Sequence, residues 1–356
     1  MSIAPFAYEL PQDRIAFHPP AERGGSRLLR VDRTTGELDD RRYADLSELL
    51  RPDDLVIINN TRVIKARLLA TTASGQQREL FLSEKHTTPL LSMNARVIYR
   101  GKLRVGDILT IGDENIEVLQ VFEGGQALIR ATIPPQVIAE RYGHVPLPPY
   151  IKRDDEPEDR ERYQAVFARK DGSVAAPTAS LNLTDELIAA MKSKGITFES
   201  LTLHVGRGTF LPIRTDTVSE HVMHEEYYSI PQRTVRAIRQ AKAEGRRVVA
   251  IGTTVTRALE HAREALLDEA SLDLDTGRHH SRASSDRIRG EADIFITPGY
   301  EFAIVDVLLT NFHAPDSTVL QLAAAFAGTD HLAGAYRHAL AGDYQFLSYG
   351  DSMLID

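Results

Sequence analysis

Residues 54–62 read DLVIINNTR. Leu55, Val56, Ile57 and Ile58 form an unbroken apolar run between Asp54 and Asn59. A run without alternation predicts a strand buried on both faces, as in a sheet covered by helices, rather than a strand with one wet face. Asn59-Asn60-Thr61-Arg62 stands at its carboxyl end, where open α/β sheets place their ligands. A hydrogen-bonded turn with no ligand would use the same residues.

The next stretch changes character. Residues 66–133 contain RLLATT, RELFLS, ARVIYR, DILTIG, NIEVLQVF and QALIRATI, several of them separated by Gly, Asp or Asn. Short β-type runs at regular spacing predict a small antiparallel barrel. Pro146-Leu147-Pro148-Pro149-Tyr150 marks the return to the first body. The expected fold is an α/β main domain, residues 1–65 and 147–356, with an inserted small antiparallel β-barrel domain over 66–146.

Thr202–Glu226, TLHVGRGTFLPIRTDTVSEHVMHEE, holds the densest group of titratable residues. His204, His221, His224, Glu225 and Glu226 bracket Gly206-Arg207-Gly208. LTLHV alternates and predicts a strand running into that turn. Imidazole and carboxylate together can move protons near neutral pH. Two histidines three apart with His204 also have the spacing of a zinc site. The HExxH arrangement is missing and the chain has no cysteine, so no metal is expected.

Similar polar turns follow other predicted strands. RRVVAI runs into Gly252-Thr253-Thr254 and a helix, which would aim backbone N–H groups and hydroxyls at a polar ligand. Thr310–Thr318, TNFHAPDST, precedes an apolar helix, and Ala175–Leu183 precedes a helix that Thr184 can cap. Ala292–Thr297 (ADIFIT) reads as a strand, and residues 271–290 as a polar surface loop.

Composition narrows the classes. The 356-residue chain is 42% hydrophobic and 26% charged, ordinary for a globular protein. A net charge of −8 gives no global field for nucleic acid, so RNA binding would need a local basic face. Arg23–Arg30, Arg41-Arg42, Arg62–Arg67 and Arg246-Arg247 are the candidates. The absence of cysteine excludes thiolate catalysis and fits a reducing cytoplasm. No secretory signal opens the sequence, and no apolar stretch is long enough to span a bilayer.

Ten ordered stretches resemble one family, the S-adenosylmethionine:tRNA ribosyltransferase-isomerases of queuosine biosynthesis. They are YELPQDRIA, DLVIINNTRVIKARL, VPLPPYIKR with DRERYQAVFA, DGSVAAPTASLNLTDEL, TLHVGRGTF, HVMHEEYY, VVAIGTTVTRALE, DIFITPGYEF, LLTNFHAPDSTVLQLAAAFAG and FLSYGDSMLI, between residues 8 and 355. The resemblance implies an α/β domain with an inserted β-barrel. It implies transfer and isomerisation of the ribosyl moiety of S-adenosylmethionine onto 7-aminomethyl-7-deazaguanine in tRNA, giving epoxyqueuosine and releasing adenine and methionine. S-adenosylmethionine is then a co-substrate, with no cofactor. The implied partner is the tRNA anticodon region, met by a cytoplasmic monomer without membrane contact. Expected catalytic residues are His204, His221, His224, Glu226, Asp306 and His313. Expected substrate-binding residues are Asn59, Thr61, Arg62, Thr178, Thr253, Arg257 and Asn311.

The chain departs from the family pattern at several positions. AAPTAGLHF appears with Ser180, Asn182 and Leu183, RDxSR with Gly24, and NDTRVIPARL with Asn60 and Lys65. Arg207 stands in GLGTF, and Arg100 replaces a proline before Gly101. An amide at 182 cannot serve as a base where an imidazole could. Two other outcomes follow if these changes matter: a diverged relative using a non-tRNA acceptor, or a non-catalytic nucleotide- or RNA-binding relative. Release of adenine and methionine separates enzyme from binder, and dependence on tRNA separates the two enzymes.

Overall fold

The computed structural model describes residues 5–82, 92–206, 225–268, 281–284 and 286–356, the 281–284 segment as backbone only. Its strands in chain order begin with β1 (Arg27–Val31), β2 (Leu38–Arg42), β3 (Leu55–Asn59) and β4 (Thr61–Val63). Next come β5 (Arg67–Thr72), β6 (Gln77–Leu82), β7 (Asn94–Arg100), β8 (Ile108–Ile111), β9 (Glu114–Phe122) and β10 (Gln126–Ala131). β11 (Lys170–Ser173), β12 (Thr197–Leu203), β13 (Glu226–Pro231) and β14 (Val248–Ile251) follow, then β15 (Ser281–Ser284), β16 (Arg287–Ala292), β17 (Val307–Asn311) and β18 (Ser352–Ile355).

Ten strands form one mixed sheet in the order β15-β16-β13-β12-β3-β14-β17-β18-β1-β2. Its centre, β12-β3-β14-β17, is parallel throughout. All five residues of β3 are buried, as the unbroken apolar run requires. Leu201, Ile57, Ala250 and Leu308 pack into the core on one face, while Val56, Ile58, Val249 and Leu309 pack on the other. Alternate residues of each strand thus serve two helix-covered layers.

β5 to β10 close a six-stranded barrel in the order β10-β7-β6-β5-β8-β9, antiparallel at each hydrogen-bonded pairing. Leu68, Ala70, Leu80, Val97, Leu109 and Ile129 fill it. The expected fold class is therefore the observed one. The helix Pro135–Tyr142 adds Ile138 and Ala139 to this core. Val63, Val145, Ile151, Tyr163, Ala176 and Tyr349 form a separate buried cluster, and the parallel pair β4–β11 lies outside both sheets.

One expectation fails locally. The strand lies at Arg287–Ala292, within and just beyond the stretch read as a loop, and ADIFIT beyond Ala292 has no strand. β16 pairs with β13 along six residues, from Glu226↔Ala292 to Pro231↔Arg287. That pairing supplies the stability which RIRGEA, taken alone, does not suggest.

Candidate functional site

The parallel strands end on one edge. Asn59, Leu203, Ile251 and Asn311 are their last residues, so every polar turn after a buried strand opens on the same side. After β14 the chain turns at Gly252, whose φ of +95° suits glycine, and enters the helix Thr253–His261. After β17 it passes Phe312 and His313 to Ser317. The Ser317 hydroxyl accepts from Leu320 N–H at 3.3 Å and caps the helix Thr318–Ala327.

A cavity of about 150 Å³ lies where these helix starts meet the turn Thr178–Ser180. Thr178, Thr253, Thr254, Asn311, His313 and Ser317 give it polar groups. Ala175, Ala176, Pro177, Ala179, Val205 and Val319 give it small apolar walls. Thr178 Oγ1 donates to Asn311 Oδ1 at 2.8 Å, and Asn311 Nδ2 donates to Asp351 O at 3.3 Å. Both amide atoms of Asn311 are thereby fixed. The two helix N-termini give this wall a positive potential suited to a carboxylate.

His313 is held from three sides. Its N–H donates to Tyr336 Oη at 2.7 Å, its carbonyl accepts from the Tyr8 hydroxyl, and its Nε2 lies 2.9 Å from Thr310 Oγ1. Burial disfavours the imidazolium and pushes the pKa down to about 4. The ring is neutral at physiological pH.

Four of the expected residues thus meet at the cavity: Thr178, Thr253, Asn311 and His313. His204 is buried beside it. Its Nδ1 is 2.8 Å from Thr61 Oγ1, and its ring stacks on Tyr227 at a centroid distance of 6.3 Å. Asn59 is consumed by the backbone: its Oδ1 accepts from Thr61 N–H and Leu203 N–H, and its Nδ2 donates to Leu203 O. Asn59 and Thr61 therefore shape the edge from below. Arg62 is exposed on β4, outside the cavity lining.

Three of the expected residues lie away from the cavity. Glu226 and Arg257 form a buried ion pair, with Arg257 Nη2 also donating to Ala292 O at 2.9 Å, and neither lines the cavity. One helical turn carries Arg257 past the Thr253 end and toward β13 and β16. Asp306 precedes β17, at the opposite end from Asn311, roughly 16 Å away along an extended strand. It accepts from Lys242 Nζ at 2.8 Å and from Val248 N–H at 2.8 Å, which makes it a brace between strand starts. His221 and His224 lie outside the described residues.

The sequence reading missed Tyr150, Tyr163 and Ser348, which form part of the cavity wall. Tyr150 Oη and Ser348 Oγ are 2.5 Å apart across 198 residues of chain. The only local signal was their position inside motif stretches.

Of the departures, Gly24, Asn60, Lys65, Ser180, Asn182 and Leu183 do not line this cavity, Arg100 lines a larger one, and Arg207 lies outside the described residues. Asn182 is buried, accepts from Ser26 Oγ at 3.0 Å and donates to Gly350 O at 3.4 Å. The backbone at Gly24 adjoins Asn182 O, and Arg23 donates to Gln164 O and Leu181 O. These residues tie the N-terminal loop to the body.

Gly172 is a sensitive point of contact with His204. A Cβ there would stand 2.8 Å from His204 Cε1 and 2.9 Å from Nε2, at a φ of +149°. Gly172→Ala is expected to displace the ring from Thr61, cost about 1–3 kcal/mol, and lower turnover. Thermal unfolding and a rate measurement on the variant check this. An unchanged melting temperature with full activity would show that the ring has room.

The amino-acid sequence matches the family described as queuosine biosynthesis protein over residues 3–355. The chain belongs to this family. An S-adenosylmethionine:tRNA ribosyltransferase-isomerase from Chlorobaculum parvum is 52% identical over 356 residues, covering 100% of both chains. One of the same name from Pelodictyon phaeoclathratiforme is 52% identical over 357 residues, again covering 100% of both. The crystal structure of an S-adenosylmethionine tRNA ribosyltransferase from Thermotoga maritima superposes with a TM-score of 0.54 at 32% identity, covering 99% of this chain and 100% of that one. Six of the ten stretches that carry the resemblance reach the cavity wall, through Tyr150 with Tyr163, Ala175–Ala179, Val205, Gly252–Thr254, Thr310–Ala314 and Leu347-Ser348.

Proposed function

We propose that the protein is an S-adenosylmethionine:tRNA ribosyltransferase-isomerase. It transfers and isomerises the ribosyl moiety onto 7-aminomethyl-7-deazaguanine in tRNA, forming epoxyqueuosine and releasing adenine and methionine. The observation that carries this reading is convergence: six motif stretches spread over two hundred residues of chain line one cavity in a chain 52% identical to enzymes of that name.

The geometry suits the co-substrate. The helix starts at Thr253 and Thr318 favour the methionine carboxylate. Small apolar walls suit a planar base. His313, neutral at pH 7, does not repel the sulfonium. That positive sulfur acidifies the adjacent 5′ carbon, so a weak base nearby can remove a proton. His204, hydrogen-bonded to Thr61, is the favoured imidazole for this step.

The acceptor has a neighbouring cavity of about 400 Å³ between barrel and body. Tyr150 lines the smaller cavity and Ile151 the larger, and Ala175 and Val174 divide in the same way, so two thin segments form a shared wall. Arg67 and Arg100 both pair with Glu79, and Arg67 also with Asp154, so with Lys152 and Arg153 the lining holds four basic side chains against two acidic ones. This local basic face supports entry of an anticodon-loop backbone from the barrel side, despite the net charge of −8. The reading implies a cytoplasmic enzyme acting as a monomer. Among the described residues no helix is long and apolar enough to cross a membrane.

A turnover assay tests the proposal. Purified protein, S-adenosylmethionine and tRNA bearing 7-aminomethyl-7-deazaguanine should give epoxyqueuosine with equimolar adenine. Adenine without modified tRNA would mean another acceptor. Neither product, from protein that binds S-adenosylmethionine, would leave a binding relative.

A further inference from the structure

The four basic side chains of the larger cavity fall into two kinds by their bonding. Arg153 is spent within the protein: Nε donates to Phe17 O at 3.0 Å, and Nη1 and Nη2 donate to Asp159 at 2.6 and 2.8 Å. Arg67 is spent as well. Its Nε donates to Glu79 at 2.5 Å, and Nη1 and Nη2 donate to Asp154 at 3.3 and 3.4 Å. Arg100 and Lys152 differ. Arg100 commits only Nη1, to Glu79 at 3.1 Å, and its side chain is 59% exposed. Lys152 gives Nζ to the neutral Gln12 amide at 3.3 Å, and it meets no carboxylate among the described residues. Lys152 thus keeps an uncompensated charge, and Arg100 keeps spare N–H donors.

The two come from different bodies. Arg100 ends β7 on the barrel, while Lys152 lies on the segment returning to the main domain. Most of the remaining lining is apolar and flat: Phe81, Leu147 and Ile151, with the prolines at 146, 148 and 149. The Arg100 guanidinium carbon stands 5.7 Å from the Phe81 ring centroid. Cations beside flat apolar side chains are the combination that holds single-stranded nucleic acid, since the charges follow phosphates while bases lie on the rings. A small inorganic anion would gain nothing from such walls. Arg100 also stands where the family pattern has proline, so this donor belongs to this chain.

We infer that Arg100 and Lys152 are phosphodiester contacts for an RNA strand seated in this cavity, one donated by the barrel and one by the main domain. The barrel grips the strand through a side chain that the family pattern does not supply, while Arg67 and Arg153 hold the cavity walls together. This rests on the proposed tRNA acceptor.

The test titrates labelled tRNA bearing 7-aminomethyl-7-deazaguanine with the whole chain, by fluorescence anisotropy, between about 50 and 200 mM KCl. Arg100→Gln and Lys152→Gln should each weaken binding by about three- to tenfold. Each should also make the plot of log affinity against log salt shallower by about one. Arg100→Lys should keep the wild-type slope, and affinity for S-adenosylmethionine should not change in any variant. Arg104→Gln removes an exposed barrel arginine outside the cavity lining and should leave tRNA binding as it is. Wild-type binding by Arg100→Gln and Lys152→Gln overturns the inference. So does an equal loss in Arg104→Gln, which would mean that only the diffuse charge of the barrel matters. Displacement of tRNA by inorganic phosphate at matched ionic strength would assign the cavity to a free anion instead. Lys152 has no ion pair to lose, so Lys152→Gln decides the question even where Arg100→Gln disturbs Glu79. Wild-type protein that binds S-adenosylmethionine but not tRNA overturns the functional reading, whereas wild type that modifies tRNA beside variants that bind equally well overturns this inference alone.

Discussion

Glu260→Ala is expected to lower the unfolding free energy by about 3–5 kcal/mol. Glu260 is 1% exposed and ends the helix that starts at the cavity. Its Oε1 accepts from Ile304 and Val305 N–H, each at 3.0 Å. Its Oε2 accepts from Ala303 N–H at 3.0 Å and from Tyr300 Oη at 3.3 Å. One carboxylate thus serves three consecutive backbone donors that have no strand to satisfy them, just before β17 begins. Alanine would leave all three unpaired, those of Ile304 and Val305 fully buried and that of Ala303 half-buried. Glutamine is nearly as poor a replacement: whichever oxygen becomes an NH2 then faces two donors with a donor. The urea midpoints of both variants should therefore fall, with Glu260→Gln recovering under half of the loss. A loss below about 1 kcal/mol for Glu260→Ala would mean that water replaces the carboxylate without penalty. The damage is confined to the amino end of β17, so folded variant should still bind S-adenosylmethionine.

This latch was invisible in the sequence, and the reason separates what could be read from what could not. β3 and the six barrel strands were legible because burial on two faces, or on alternate faces, leaves a local pattern. β16 left none, since its stability comes from β13, some sixty residues earlier. The same holds in the site. Thr178, Thr253, Asn311 and His313 could be anticipated because each follows or abuts a buried parallel strand, and parallel strands share a carboxyl edge. Asp306 is kept from the cavity by strand direction, lying before β17 rather than after it. Arg257 is kept from it by helical phase. Tyr150, Tyr163 and Ser348 reach the cavity only because the chain returning from the barrel folds beside the C-terminal turn, a contact no local pattern encodes.

His313 gives the other large effect, in two measurements. Burial holds its pKa at about 4, against an ordinary value of 6.5. An imidazole that weak is a poor proton acceptor at pH 7, so His313 is expected to hold substrate more than to move a proton. His313→Ala should then raise the S-adenosylmethionine KM by about 10- to 100-fold, as for a lost buried hydrogen bond, with kcat reduced by under about tenfold. The opposite split, a kcat loss above about a hundredfold at unchanged KM, would restore the proton-transfer role first expected from the family resemblance. Stability supplies the second measurement. The unfolded chain takes up this proton near pH 6.5 and the folded protein only near pH 4. The contribution of His313 is therefore complete above pH 6.5 and is lost as pH falls toward 4, by up to about 3 kcal/mol. Because the ring is not wholly enclosed, the observed loss should be smaller. His313→Gln removes the titration while keeping an amide that can meet Thr310, so stability measured from pH 7 down to pH 4 should decline less steeply than in the wild type. Parallel declines would mean that the imidazole takes its proton without penalty, and the cavity would then be wetter and more open than its lining implies. A neutral ring also fits the ligand, since an imidazolium at this position would stand beside a sulfonium of the same sign.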